Sequence, residues 1–308
     1  MRVLITGGAG FIGSNLVDAV IADGQEVTVL DDLSTGYAEN VNPEAKLISG
    51  DVADPDAVRE ACRDAELVVH LAAARAVLRS VQDPLATDRA NTRGTLSVLE
   101  AARQAGVRRV VCTSSSSVYG GASVTPTPES APLVPRSPYA VSKLAGEQYA
   151  RVYWELHGLE TVAIRLFNVF GPRQRPDSLY AAVIPIFIAA MRSGASLEVH
   201  GDGLQSRDFT YIDDAVAGLV AATRAPAERC AGRAYNLAGG GEHSLLELIS
   251  VLERLTGSTA SPIHIEARAG DIRRSRADLS SAASDLGWAP RVSFEEGLAR
   301  TVAWFGQR

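Results

Sequence analysis

Val3-Leu4-Ile5-Thr6-Gly7-Gly8-Ala9-Gly10-Phe11-Ile12-Gly13 joins a short aliphatic run to a glycine-rich turn, and Asn15-Leu16-Val17-Asp18-Ala19-Val20-Ile21 follows with helical periodicity. A short β-branched and aliphatic run bounded this way predicts a buried parallel strand over residues 2 to 6. Glycines in such a turn let the backbone approach a pyrophosphate, and the next helix offers unpaired amides and its positive dipole end to the same group. The spacing fits G-x-G-x-x-G (Gly8, Gly10, Gly13) and G-x-x-G-x-x-G (Gly7, Gly10, Gly13) alike. A tight strand-to-helix turn with no ligand would use the same residues, so the context must decide.

The context supplies an acid. A second strand, Glu26-Val27-Thr28-Val29-Leu30, ends at Asp31, 18 residues beyond Gly13, where a carboxylate can accept from the hydroxyls of an adenosine ribose. Asp32 follows, and no arginine lies between positions 31 and 37, so a 2′-phosphate would be repelled and NAD is expected over NADP. A third strand, Lys46-Leu47-Ile48-Ser49, leads to Gly50-Asp51-Val52; Asp51 either meets the adenine edge or caps the helix beginning near Asp54 or Pro55. A fourth, Glu66 to Ala73, carries His70, read as a strand histidine packed beside the core. Helical periodicity runs from Asp88 to Gln104, with Asn91 and Gly94 where a helix would pass close beneath a sheet.

Strand five becomes apolar at Val110 and turns into Thr113-Ser114-Ser115-Ser116-Ser117-Val118-Tyr119-Gly120. Ligands of open α/β sheets bind at the carboxyl ends of strands, so four successive serines there mark a site rather than a mere polar terminus. After a loop over 121 to 136 comes Ser137-Pro138-Tyr139-Ala140-Val141-Ser142-Lys143. Ser137 caps a helix, Pro138 suits its first turn, and Tyr139 and Lys143 share one face. Tyr-x-x-x-Lys alone is common in helices. Beside an ammonium, however, a phenol is expected to fall from about 10 toward the working range of a general base.

Beyond a sixth strand, Thr161 to Asn168, the alternation loosens into a loop carrying Arg173, Gln174 and Arg175, then helices near 182–192, 213–225, 244–256 and 294–306 and a strand near 234–237. The second half reads as a smaller lobe that shares some chain with the sheet. At 308 residues, 46% hydrophobic, the chain can bury a large core; a net charge of -6 leaves no basic patch for nucleic acid. Cys62, Cys112 and Cys230 are too few and too scattered for a metal knuckle or a disulfide framework, and no metal is expected. No apolar run reaches membrane-spanning length and the first strand is too short for a signal peptide, so a cytoplasmic location without membrane partners is expected.

With these motifs in order, the chain resembles the extended short-chain dehydrogenase/reductase family, especially its nucleotide-sugar 4-epimerases. The resemblance implies a doubly wound parallel-sheet NAD-binding domain, expected over 1–172 with about 209–240, and a smaller nucleotide-sugar-binding domain over 173–208 and 241–308. It implies NAD held by Gly7, Gly10, Phe11, Ile12, Gly13, Asp31, Asp32, Asp51, Val52 and Lys143. Tyr139 and Lys143 match the family's catalytic pair, and Ser115 falls where its third catalytic hydroxyl resides. Ser116, Asn168, Arg207 in Gln205-Ser206-Arg207-Asp208, and Arg268 and Asp271 in Arg268-Ala269-Gly270-Asp271 match groups around the nucleoside diphosphate sugar.

Departures from the family pattern narrow the chemistry. Related dehydratases carry an Asp-Glu pair after the catalytic hydroxyl and related decarboxylases a Glu, whereas this chain has Ser116 and Ser117. Reversible oxidation without water loss or decarboxylation, that is 4-epimerisation of a UDP-sugar, is the implied reaction. Ser275 stands where some glucose-restricted relatives have a bulky tyrosine, which favours an N-acetylhexosamine; Arg175-Pro176-Asp177 instead resembles a uronate-binding loop, although Asn168 replaces the threonine usual there. Phe170 replaces a common tyrosine without an assigned effect. A net NAD-dependent oxidoreductase and a non-catalytic NAD-binding protein are the competing readings. The resemblance also implies a homodimer, with the helices at 87–105 and 138–156 as its candidates.

Overall fold

The computed structural model describes residues 1–75, 77–176, 182–267 and 272–307. Arg268, Asp271 and Asp177 lie outside the described residues. In chain order the strands are β1 (Arg2–Thr6), β2 (Glu26–Asp31), β3 (Lys46–Ser49), β4 (Leu67–His70), β5 (Arg109–Ser115), β6 (Glu160–Leu166), β7 (Val169–Phe170), β8 (Leu197–His200), β9 (Ser206–Arg207), β10 (Thr210–Tyr211), β11 (Arg233–Leu237), β12 (His243–Ser244) and β13 (Pro262–Ile265). The helices are α1 (Phe11–Ala22), α2 (Pro55–Cys62), α3 (Val77–Gln82), α4 (Pro84–Asp88), α5 (Gly94–Gln104), α6 (Pro138–His157), α7 (Val183–Ser193), α8 (Ile212–Arg224), α9 (Ala227–Cys230), α10 (Leu245–Thr256) and α11 (Phe294–Gly306).

Seven strands form one sheet in the order β11-β6-β5-β4-β1-β2-β3, and every pairing in it is parallel. Alternation of side chains sorts the sheet's residues to two faces. Val3, Ile5, Val27, Val29, Val69, Val111 and Ile164 join one apolar cluster that also takes in α1 and α8, while Leu4, Leu30, Val68, Val110 and Cys112 join another beneath α2, α5 and α6. The first cluster continues without a break through Phe187, Val199, Tyr211, Leu248 and Leu298, so the later helices share one core with the sheet. Short ladders β7 with β10, β8 with β13 and β9 with β12 build the remaining framework.

Local sequence accounts for the helix limits. Ser137 Oγ accepts from Ala140 N, Pro138 occupies the first turn of α6, and Gly158 ends it in the left-handed region. Asp54, not Asp51, caps α2. The expected helix over 88 to 104 is interrupted: α4 starts earlier, capped by Asp83, and a π-helical turn over Arg89–Arg93 precedes α5. There the Asn91 amide bonds Ala74 N, Ala74 O and Ser142 Oγ, and Gly94 sits so close to Val52 that a Cβ would lie 2.9 Å from its Cγ2. The wide turn serves those two contacts.

All three cysteines are free and buried, and burial pushes the Cys62 and Cys112 thiols up to about 12. His70 is 2% exposed, its Nδ1 2.7 Å from Thr6 Oγ1 and its Nε2 3.0 Å from Thr95 Oγ1. Burial, with the Lys143 charge added, pushes it down to about 3 from the ordinary 6.5. Because the unfolded chain takes up a proton there that the fold excludes, His70 makes stability fall as pH drops from 6.5 toward 3 and has no effect above that window. Urea unfolding midpoints measured across that range should therefore drop more steeply for the natural chain than for His70→Gln; parallel curves would contradict this assignment.

Candidate active site

The carboxyl ends of β1, β2, β4 and β5 border a cleft of about 490 Å³ lined by Gly7, Gly10, Phe11, Ile12, Gly13, Asp31, Asp32, Asp51 and Val52. Its floor needs glycine. Gly7 has φ +73°, and a Cβ on Gly13 would lie 2.1 Å from the Gly7 carbonyl oxygen. Asp31 Oδ2 accepts from Ala9 N at 2.9 Å and Oδ1 from Leu33 N at 2.8 Å, so the acid that ends β2 is tied to the glycine turn. Burial raises its pKa and those two amides oppose the rise. Asp51 accepts from Ala53 N and pairs with Arg89 at 2.7 Å.

These residues fit NAD. The turn packs so closely against β1, β2 and the chain after β4 that its backbone borders the cleft without side chains, Asp31 stands at the strand end suited to a ribose, and Asp31 with Asp32 opposes a 2′-phosphate. At the far wall, Ser114 Oγ is buried without a hydrogen-bond partner among the described residues.

β5 ends in Ser115, whose Oγ caps a 3-10 turn over Ser116–Tyr119 by accepting from Ser117 N at 3.2 Å. The same hydroxyl lies near enough to Tyr139 to favour its ionised form. Lys143, 8% exposed, donates from Nζ to Thr113 O at 2.9 Å, and burial pushes it down to about 8. The phenol departs from expectation: burial raises the Tyr139 pKa, and what opposes the rise is the Ser115 hydroxyl and the charge of Arg75, not Lys143. The lysine is turned onto the strand backbone, so its ammonium is spent on Thr113 rather than on the phenol. Arg75 lines the same cleft, its charge itself disfavoured by burial and by Arg175. Nothing but a charged residue directly after the small end of β4 marked it in the sequence.

A second pocket of about 270 Å³ adjoins the first and is lined by Ser115, Ser116, Ser117, Tyr139, Asn168, Arg207, Arg274 and Ser275, among others. Ser115, Tyr139 and Asn168 line both cavities, so the hydroxyl pair stands at their junction. Asn168 holds φ 32° and donates from Nδ2 to Asp208 O at 2.9 Å. Arg207 Nη1 donates to the carbonyls of Ser206 and Ile272. Arg274, unanticipated from sequence, forms a two-pronged pair with Glu242 at 2.7 Å for each bond. Arg175, expected in the sugar pocket, lines the first cleft instead, its guanidinium 4.3 Å from the Tyr37 ring centroid. Phe170 is buried edge-on against Phe209, Tyr211 and Phe294, an apolar setting that leaves a tyrosine hydroxyl without purpose.

Residues 3–238 match the NAD dependent epimerase/dehydratase family. A UDP-glucose 4-epimerase of Mycolicibacterium smegmatis is 42% identical over 312 residues, covering 99% of this chain and 98% of the relative. A dTDP-glucose 4,6-dehydratase of an Actinoplanes species is 36% identical over 321 residues, covering 99% and 98%. Among solved structures, the UDP-glucose 4-epimerase of Thermotoga maritima with UDP-glucose aligns with a TM-score of 0.95 at 35% identity, covering 100% of this chain and 99% of that one. The chain belongs to the NAD dependent epimerase/dehydratase family. It is an NAD-dependent enzyme with the parallel-sheet architecture of the short-chain dehydrogenases.

The glycine cradle supplies a direct check. Gly13→Ala places a methyl group against Gly7 and Gly8 backbone that cannot yield, so the variant should lose NAD from the purified protein. Release of NAD on acid denaturation, quantified by chromatography beside the natural chain, is the measurement; full retention would contradict the cradle assignment.

Proposed function

We propose that this enzyme interconverts the two C4 configurations of a UDP-sugar, UDP-glucose and UDP-galactose or their N-acetyl forms, through a transient 4-keto sugar, with NAD tightly retained. The observation that carries the reading is the position of Ser115 and Tyr139 at the junction of the cofactor cleft and a second pocket whose described lining contains no carboxylate. When bound, NAD supplies the acceptor and donor of the C4 hydride. The protein's part is to hold the nucleotide, orient the sugar and move one proton.

Tyr139 takes the proton from the C4 hydroxyl and returns it. Ser115 hydrogen-bonds the reacting oxygen and relays that proton, its orientation set by the Ser117 amide. Arg75 adds positive charge that favours the phenolate, while Lys143 ties α6 to β5 at Thr113 and is assigned to the nicotinamide ribose. Asn168 and Arg207 serve the diphosphate, with Arg268 and Asp271 assigned beside them from the family pattern. Charge-assisted bonds from a guanidinium suit that anchor. Held there, the sugar can turn and accept the hydride on its other face.

Ser116 and Ser117 support epimerisation over the dehydratase chemistry named for one relative. Loss of water needs an acid and a base beyond the Tyr139 pair, and serine hydroxyls supply neither. Ser275 on the pocket wall supports N-acetyl forms, since a small side chain leaves space for the acetamido group. A uronate is less well served, because Arg175 stands over Tyr37 on the cofactor side. A net oxidoreductase remains the second reading, and it predicts product of altered oxidation state and released reduced cofactor.

The proposal extends to a homodimer. Val141, Tyr149 and Leu156 of α6 are exposed, as are Val77, Leu78, Val81 and Leu85 of the adjoining α3 and α4. This face comprises α6, the helical stretch at 87–105 beside it, and the apolar surface at residues 77–85. Sedimentation velocity should give a dimer for the natural chain and a monomer for Val81→Glu/Leu85→Glu; a monomeric natural chain would end this part of the reading.

Proton NMR of the purified protein with no added cofactor, incubated separately with UDP-glucose, UDP-N-acetylglucosamine and UDP-glucuronate, should reveal a 4-epimer in at least one tube. Tyr139→Phe should lower turnover by about 10²–10⁴-fold, the usual contribution of a positioned acid/base. No epimer in any tube, or near-normal turnover by Tyr139→Phe, would remove the proposal.

A further inference from the structure

Beneath the site lies a buried polar cluster that the mechanism does not use. Arg165 on β6 is 3% exposed, Glu147 on α6 7%, Tyr119 4% and Asn236 on β11 0%. The guanidinium is divided among three elements. Its Nε donates to Glu147 Oε2 at 3.0 Å and its Nη2 to Glu147 Oε1, a two-pronged pair with the helix. Its Nη1 donates to the Tyr119 hydroxyl at 2.7 Å and to the Glu129 carbonyl at 2.9 Å. Tyr119 OH in turn donates to Asn236 Oδ1 at 2.7 Å, and Asn236 Nδ2 reaches the carbonyls of Thr127 and Asp278.

Two of the elements gripped by Arg165, α6 and the 3-10 turn, carry a site residue. Tyr139, Lys143 and Glu147 follow one another at four-residue intervals along α6, so the carboxylate held by Arg165 lies on the helix face that bears the phenol. Tyr119 closes the 3-10 turn whose cap is Ser115. Arg165 itself lies three residues before Asn168 on the same chain segment. Removing an ion pair from water costs several kcal/mol, and apolar residues of similar volume fill such space at least as well. Stability alone therefore gives little reason for an arginine here. Its planar fork, in contrast, fixes angles as well as distances.

Resting on the epimerase reading above, we propose that Arg165, Glu147 and Tyr119 are positioning residues: one guanidinium sets the spacing between the Ser115 turn and the Tyr139 helix. The brace acts on the geometry of proton transfer and not on nucleotide affinity. A displacement of about 1 Å at reacting groups can cost on the order of 100-fold in rate, so modest loosening has a large readout.

Two variants and one spectroscopic measurement test this. Arg165→Met/Glu147→Leu removes both charges together and leaves no unpaired ion in the core; Tyr119→Phe cuts only the arm to the Ser115 turn. Both should keep the thermal midpoint near that of the natural chain and retain NAD, while kcat falls by about 10–100-fold with KM within about twofold. Arg165→Lys should not restore kcat, because an ammonium lacks the fork. The Ser115–Tyr139 spacing is read independently as the phenolate absorbance titration of each background minus the same background with Tyr139→Phe. A shift of that titration in Tyr119→Phe accompanies a changed spacing, and a purely structural role does not move it. Unchanged kcat in a folded variant overturns the proposal. If the natural chain epimerises no UDP-sugar, the function proposal fails separately, and the titration alone decides: an unshifted Tyr139 then removes the brace. If the double variant does not fold, Tyr119→Phe decides by the same two readouts.

Discussion

The approach of Gly13 to the Gly7 carbonyl is the constraint on which the arrangement of the site depends. That contact closes the turn after β1, so α1 begins directly over the strand end and its free amides face the cleft. Gly7 N donates to Leu30 O at 2.8 Å and Ala9 N to the Asp31 carboxylate, which fixes β2 against the same turn. On the other side a Cβ on Gly7 would meet Ala72 N at 2.7 Å, so the chain leaving β4 is equally close. Three strand ends thus converge because three side chains are missing or small. β1 lies inside the sheet with the later strands on one side and β2 and β3 on the other, and the crevice at that reversal is where doubly wound sheets bind ligands.

The second pocket is assembled by carboxylates that hold backbone. Asp208 is fully buried; its Oδ2 accepts from Ala277 N at 3.1 Å, and its carbonyl accepts from Asn168. Burial nevertheless pushes it up to about 6. Asp214 does the same for Arg291 and Val292 amides at 2.9 and 3.0 Å. Buried backbone donors must be paired, and these two aspartates pair three of them at points where the polypeptide crosses between segments distant in sequence. Arg207, adjacent to Asp208, and Asn168, bonded to it, owe their placement at the pocket to this junction.

How much of this was legible follows from how local each feature is. The strand-turn-helix at residues 2 to 22, Asp31 at the end of β2, the caps at Ser137 and Gly158, and the spacing of Tyr139 and Lys143 depend on neighbours a few residues away, and their positions could be read directly. The direction of Lys143 could not, because its partner Thr113 lies 30 residues back on another element. Arg175 over Tyr37 and Arg274 against Glu242 are likewise separated by more than thirty residues of chain, and a loop arginine read from sequence carries no sign of which cavity it will border. Phe170 had no reading until its three aromatic neighbours were brought around it. The π-helical turn arises from Asn91 reaching Ala74 and Ser142, a demand imposed by packing on a segment whose periodicity looked regular.

The charges around Tyr139 bear on what the site can catalyse. Burial disfavours the phenolate, and it also pulls the Lys143 ammonium toward neutrality at about 8. A tyrosine serving as base must therefore draw on groups outside the helix that carries it, and Arg75 and the Ser115 hydroxyl are the two that act on it here. In the second pocket, the Arg274 charge is already met by Glu242, while the lining opposite consists of Ser115, Ser116 and Ser117. Such a wall can accept and donate hydrogen bonds to a sugar without exchanging a second proton with it. A reaction needing one proton to leave a hydroxyl and return to it suits that chemistry, whereas expulsion of water asks for a carboxyl that the described lining does not contain. On the proposed reading, in which a single phenol carries the proton in both directions, the arginine beneath α6 gains a reason for its cost in desolvation: the Tyr139 to Ser115 distance is the quantity to be held constant.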